Sequence, residues 1–136
     1  HDTEGRVLLI ERASHAGFWQ SVTGSLDAPD ESHWEAAVRE VREEVGINAL
    51  APESQLVDWA IENVYEIYPT WRHRYAPGVT HNAERVFGLR VAPHTIVRLS
   101  EEHTAYCWLP KLEAAEKCFS PSNAEAILLL SHNPRP

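Results

Sequence analysis

Methionine is absent from this chain of 136 residues, and cysteine and lysine occur only twice each. Two cysteines, Cys107 and Cys118, cannot build a disulfide framework, and without a C-x-x-C spacing they make no zinc knuckle. Free thiols in a reducing, cytoplasmic compartment are the expectation, and the sequence shows no apolar leader that would direct export. No apolar run reaches the roughly 18 residues that span a bilayer, so a membrane-crossing helix is excluded. Basic residues are also scarce: twelve Lys and Arg stand against twenty Asp and Glu, a net charge of −8 with histidines neutral. That balance excludes nucleic-acid binding through a basic surface. Ten of the twelve cations are arginine, whose planar fork grips phosphate or carboxylate in two places at once. Such an acidic chain can bind a small polyphosphate only if metal ions offset the repulsion.

What is present suits one globular domain over residues 1–136, with 43% apolar and 24% charged residues. No repeat, low-complexity tract or linker divides it. An apolar run, Val7–Ile10, follows within a few residues of His1, and a further strand is expected ahead of residue 1. Arg6–Arg12 reads as a buried strand and Phe18–Thr23 as a second, short one ending at Gly24. After a polar loop, Ser25–Glu31, the pair Ser32 and Glu35 has capping-box spacing. Trp34, Ala37, Val38, Val41 and Val45 recur at helical spacing, and Gly46 supplies a left-handed stop. Gln55–Tyr68 leans to strand, as do Glu84–Val91, Thr95–Leu99 and Thr104–Leu109. Leu112–Lys117 reads as a helix. A last helix is expected from Ser122, whose spacing to Glu125 repeats the capping box, through Leu130. Strands in the middle, one helix early and two late describe an α+β chain, an α/β/α sandwich around a mixed β-sheet.

Opposite its apolar face, the early helix carries Glu40, Glu43 and Glu44 with Arg39 beside them. Glu40 and Glu44 are stacked one turn apart, with Glu43 about 60° round the cylinder. Hard oxygen ligands on one rigid face suit Mg²⁺ or Mn²⁺, whose charge relieves the repulsion among them. The alternative is a solvated face in which arginines and glutamates simply pair. The full pattern bears on this choice: Glu31, seven residues, Arg39-Glu40, Val41, Arg42, Glu43-Glu44, Val45, Gly46, Ile47. It resembles the signature of the Nudix hydrolase family, G-x5-E-x7-R-E-U-x-E-E-x-G-U, where U is apolar. By composition alone its six fixed identities from Glu31 onward would assemble by chance on the order of once in ten thousand chains. It departs in one place: six residues, not five, separate Gly24 from Glu31.

The resemblance implies the Nudix sandwich fold and metal-dependent hydrolysis of a diphosphate linked to another group. It implies Glu40 and Glu44 as metal ligands with Mg²⁺, or Mn²⁺ in its place, Glu43 assisting, and Arg39 orienting the glutamates. Further blocks are similar to a branch of the family acting on a pterin triphosphate: Phe18–Ser25, Arg72–Thr80, Glu102-His103, Ala105-Tyr106, Trp108-Leu109 and Ser122-Asn123. They imply dihydroneopterin triphosphate as substrate and its monophosphate plus pyrophosphate as products. By position, Glu102 is implied as a further metal ligand or general base, the latter role being open between Glu44 and Glu102. Arg12, Thr23, Ser120 and the segment Tyr65-Glu66-Ile67-Tyr68 are implied as substrate contacts. Ser120, before Pro121, could equally be a helix cap. Trp19, Tyr65 and Tyr68 are candidates for stacking on a flat heterocycle, with core packing the alternative. Glu66 could accept from pterin N–H groups. Arg72-His73-Arg74 either holds the triphosphate or shapes the Tyr75–Thr80 loop. The rival readings are a Nudix enzyme of (deoxy)nucleoside triphosphates and a non-catalytic Nudix domain that only binds a ligand. The partner expected in every case is a small molecule, not a nucleic acid or a membrane; the sequence leaves the oligomeric state open.

Overall fold

The computed structural model describes residues 1–74 and 77–132, and of Tyr65, Trp71, Arg74, Asn82, Ser131 and His132 it describes the backbone alone. Five strands run β1 Arg6–Arg12, β2 Trp19–Gln20, β3 Gln55–Glu66, β4 His81–Arg90 and β5 His103–Pro110. The α-helices are α1 His33–Val45, α2 Lys111–Lys117 and α3 Pro121–Leu128, with 3₁₀ turns at Pro69–Arg74 and Leu129–His132. Strand β1 lies centrally, antiparallel to β2 on one side and to β5 on the other, with Leu9 opposite Cys107 and Ile10 opposite Tyr106. β3 and β4 form a separate antiparallel hairpin. The parallel character expected of the sheet is confined to two isolated bridges, Asp2 to Val91 and Trp19 to Cys118.

The period of two along β1 assigns its side chains to two layers. Val7 and Leu9 pack against Ala114 and Ala115 of α2 and Ile127 of α3. Ile10, with Leu8 beside it, packs on the other face with Val41 and Val45 of α1, Ile47 and Val91. The molecule is thus an α/β/α sandwich, with α1 on one face and α2 and α3 on the other.

Local chemistry explains where α1 starts and stops. The Ser32 hydroxyl accepts from the Glu35 amide and the Glu35 carboxylate accepts from the Ser32 amide, each at 3.0 Å. Gly46 closes the helix at φ 72°, its N–H donating to Arg42 O. Two carbonyls left over in the last turn are then taken by a crossing segment: Arg98 N–H donates to Val45 O at 2.8 Å and Ser100 N–H to Glu44 O at 3.1 Å.

That crossing corrects the strand expected at Thr95–Leu99. The alternation is real, since Val97 and Leu99 pack on the α1 core while Ile96 is 70% exposed. The amides, however, cap a helix instead of joining a ladder. Strand β2 is shorter than Phe18–Thr23, being only Trp19–Gln20. The last helix begins earlier than expected. Ser120, not Ser122, is its N-cap, accepting from the Asn123 amide with Pro121 at the first helical position. The face of α1 also differs: Ala36, Glu44 and Val45 are its buried residues, whereas Trp34 is exposed with its ring edge-on to Phe87. Among the described residues, no helix is long and apolar enough to cross a membrane.

Candidate active site

The C-terminal half of α1 has polar residues on the side where the apolar face ends. Glu44 precedes Val45, so covering Val45 with the Val97–Ser100 crossing also covers Glu44. The residue is only 5% exposed. Burial, then hydrogen bonding to Glu40 and the charges of Glu40 and Glu102, push the Glu44 carboxyl well above the usual carboxylate range. The Thr23 amide, which donates to Glu44, opposes this shift. Oε1 of Glu44 is buried and has no hydrogen-bond partner among the described residues. His103 faces it, its Nε2 3.9 Å from that oxygen, and both ring nitrogens are likewise buried without partners.

Arg39 links the rest of the acidic set. Its Nε donates to Glu31 Oε2 at 2.9 Å, and one terminal nitrogen reaches Glu40 and, at 3.1 Å, Glu43. The other donates to Glu31 Oε1 and, at 2.8 Å, to Ser25 O. Hydrogen bonds from the Arg39 fork hold Glu31 below the usual carboxylate range. Glu31 in turn accepts from the Asp27 amide at 2.7 Å. Arg39 thereby fixes both ends of the loop that carries the additional residue. Gly24 lies directly against Glu40, and a Cβ there would collide with the Glu40 carboxyl group. Gly24 thus keeps its place beside the Glu40 carboxylate with the additional residue between it and Glu31.

The donor set fits a divalent cation. Glu40, Glu44 and Glu102 offer hard oxygens, and Glu44 sits buried among like charges with one oxygen unsatisfied, an arrangement a cation would relieve. Among the described residues no three acidic, histidine or cysteine side chains are grouped closely enough to hold a metal ion by themselves. Mg²⁺ keeps several of its waters and needs only one or two carboxylates from the protein.

Of the residues expected to touch substrate, Thr23 reaches this centre through its amide and Arg12 lies beside His103. Arg12 ends β1 opposite His103, its charge acts on that ring, and its guanidinium lies 5.3 Å from the centre of the Phe18 ring. Phe18 in turn stacks on Phe119 at 3.9 Å. Thr23 is exposed, with its hydroxyl accepting from Gln20 at 3.3 Å and its amide on Glu44. Ser120 caps α3 and shares a 3.0 Å hydrogen bond with Ser122.

The segment 65–68 lies at the end of the β3–β4 hairpin. Ile67 is buried, and its amide donates to Thr80 O. Tyr68 is exposed, and the side chain of Tyr65 lies outside the described residues. Glu66 pairs with Arg72 at 3.2 Å, and Arg72 also donates to Ile67 O. Of the Arg72–Arg74 trio, Arg72 therefore takes the internal role. The side chain of Arg74 and all of Tyr75 and Ala76 lie outside the described residues. Trp19 packs in the α2 and α3 core, with the Lys117 ammonium 4.6 Å over its ring.

Sequence reasoning assigned no role to His103, Asn123 or Ser21. The last two form a reciprocal pair: Ser21 N–H donates to Asn123 Oδ1 and Asn123 Nδ2 to Ser21 Oγ, both at 2.8 Å. The available signal was their place inside the Glu102-His103, Ser122-Asn123 and Phe18–Ser25 blocks.

A NUDIX domain profile matches residues 1–130. The chain is 45% identical over 122 residues to a dihydroneopterin triphosphate diphosphatase of Escherichia coli K12, covering 90% of this chain and 80% of that protein. It is 39% identical to a protein of the same name from Haemophilus influenzae, covering 90% and 76%. The structure of the E. coli dihydroneopterin triphosphate pyrophosphohydrolase superposes with a TM-score of 0.86 at 41% identity, over 96% of this chain and 88% of that one. With its acidic helix, the loop packed against it and a profile match along almost all its length, the chain belongs to the NUDIX family.

Proposed function

We propose that this protein is a divalent-metal-dependent pyrophosphohydrolase that converts dihydroneopterin triphosphate and water to dihydroneopterin monophosphate and pyrophosphate, a step of folate biosynthesis in the cytoplasm. The observation that carries the reading is the 45% identity spread over nine-tenths of the chain, well beyond the acidic helix. The buried, unsatisfied carboxylate of Glu44 supports the metal dependence. Glu40, Glu44 and Glu102 would hold the cation, Mg²⁺ or Mn²⁺. Bound there, it supplies Lewis-acid polarisation of the phosphoryl group and acidifies the attacking water.

The chain's own groups do the remaining work. Arg39 keeps Glu40 and Glu43 in place and the Ser25–Glu31 loop closed over the helix. Thr23 fixes Glu44 through its amide. Arg12 brings positive charge to a strongly acidic centre, where the substrate's phosphates need it. Glu44 or Glu102 receives the proton that water loses as its oxygen bonds to phosphorus and pyrophosphate departs.

A substrate panel tests the specificity. Dihydroneopterin triphosphate should exceed dATP and CTP in kcat/KM by at least about tenfold, a discrimination worth roughly 1.4 kcal/mol. Equal or reversed ranking assigns the enzyme to nucleotides. Glu44→Gln should lower kcat by a factor on the order of a thousand with the fold intact. If no substrate yields pyrophosphate with Mg²⁺ or Mn²⁺ present, the domain is a ligand-binding one.

A further inference from the structure

Two sets of buried polar atoms without partners face one another beneath the acidic helix. Glu44 Oε1 is one, and the imidazole of His103 is the other, its side chain only 4% exposed and its Nε2 3.9 Å away. The separation is about 1 Å longer than a hydrogen bond. Leaving such groups unmade is costly, and the usual remedy for a buried histidine is a carboxylate or carbonyl. The backbone holds the two side chains in register. Ser100 N–H binds Glu44 O, and His103 N–H binds Ser100 O at 3.2 Å, so one turn of chain ties the first residue of β5 to the last turn of α1. Glu40, by contrast, is hydrogen-bonded to Glu44.

We propose that His103 is a positioning residue which, when a divalent cation occupies the site, donates Nε2–H to Glu44 Oε1 and so turns the other oxygen of Glu44 toward the cation and Glu40. The inference rests on the metal-site reading above. Partners one step removed from a metal orient its ligands, and their loss typically weakens binding 10- to 100-fold. His103 touches neither substrate nor metal in this arrangement; it acts through Glu44.

Mn²⁺ affinity of the full chain, read by electron paramagnetic resonance of the free ion, tests this without turnover. His103→Leu should weaken Mn²⁺ binding about 10- to 100-fold. His103→Gln, whose amide nitrogen can stand near Nε2, should recover most of the loss. Wild-type affinity in His103→Leu overturns the proposal, as does an equal loss in both variants. Should His103→Leu fail to fold, nitrogen-15 spectra of the wild-type imidazole decide. Saturating Mg²⁺ should produce a slowly exchanging Nε2–H, and a ring protonated at Nδ1 alone overturns it. Failure of the wild-type protein to bind Mn²⁺ at all defeats the metal site itself, whereas loss of binding in Glu44→Gln with none in His103→Leu defeats only the role of His103.

Discussion

Asp2 shows how a single residue can carry a measurable share of stability. Its side chain is buried, and Oδ1 accepts from the amides of Glu4 and Arg6, each at 2.9 Å, while Oδ2 accepts from the Arg6 guanidinium. Burial pushes its carboxyl up, but those hydrogen bonds and the Arg6 charge outweigh burial and leave it below its ordinary value of 3.8. A depressed carboxylate stabilises the fold wherever it is ionised in both states. Its contribution is therefore complete above about pH 4 and disappears as the pH falls through the lower, folded-state value. Asp2→Ala should cost about 1–3 kcal/mol in urea unfolding at pH 7. The gap between variant and wild type should narrow below pH 4, and a gap that stays constant to pH 2.5 would assign the effect to packing. Reactivity is governed in the same way at Cys118, where burial pushes the thiol up to about 11. Alkylation of the folded protein at pH 7.5 should accordingly be slow at this position.

At the scale of elements, two backbone positions with positive φ predict opposite outcomes. Gly46 ends α1 at φ 72°, with Arg98 Cβ only 3.0 Å from where a side chain would begin. Gly46→Ala should destabilise by about 1–2 kcal/mol, adding left-handed strain to a crowded contact. Ala60 occupies the β3 bulge at φ 57°, where the ladder shifts between Asp58 and Ile61. Ala60→Gly there should be neutral to stabilising by up to about 1 kcal/mol, because glycine adopts that conformation freely. Thermal unfolding of the pair checks both signs.

The same elements show what could be read ahead of the structure. Helix α1 was legible because its signals are local: a hydroxyl and carboxylate three apart, one glycine and a period of 3.6. The segment at Thr95–Leu99 was not, because Val97 and Leu99 alternate as a strand does while their neighbours' amides serve carbonyls from fifty residues earlier. The start of α3 was ambiguous between Ser120 and Ser122, since both hydroxyls stand next to Pro121, and only its place as first helical residue selects Ser120. In the site, the spacing of Glu31, Arg39, Glu40 and Glu44 carried the acidic cluster. Nothing local announced that Glu44 would be buried, or that His103 would face it, because both depend on the same crossing chain.

Across the whole molecule, the N-terminus of α3 joins parts that the sequence holds far apart. Asn123 clasps Ser21, two residues before Thr23, whose amide reaches Glu44. One residue earlier, Ser122 donates to Glu84 of β4 at 3.2 Å, and Glu84 also accepts from Asn63 of β3. A single helical turn thus braces the acidic centre on one side and, on the other, the hairpin whose end bears the segment 65–68. Since the two braces use different side chains, their removal should separate kinetically. Asn123→Ala frees the Ser21–Gly24 loop and should lower kcat about tenfold, because small displacements of a catalytic group are costly. Asn123→Asp keeps an acceptor for the Ser21 amide and another for its hydroxyl, and should restore most of the rate. Ser122→Ala removes the tie to the hairpin, together with the hydrogen bond to Ser120, and leaves the Asn123–Ser21 clasp in place, so it should raise KM severalfold with kcat near wild type. If both substitutions instead change kcat and KM in the same proportion, α3 acts on the site as one rigid support, and the hairpin and the acidic helix do not move independently.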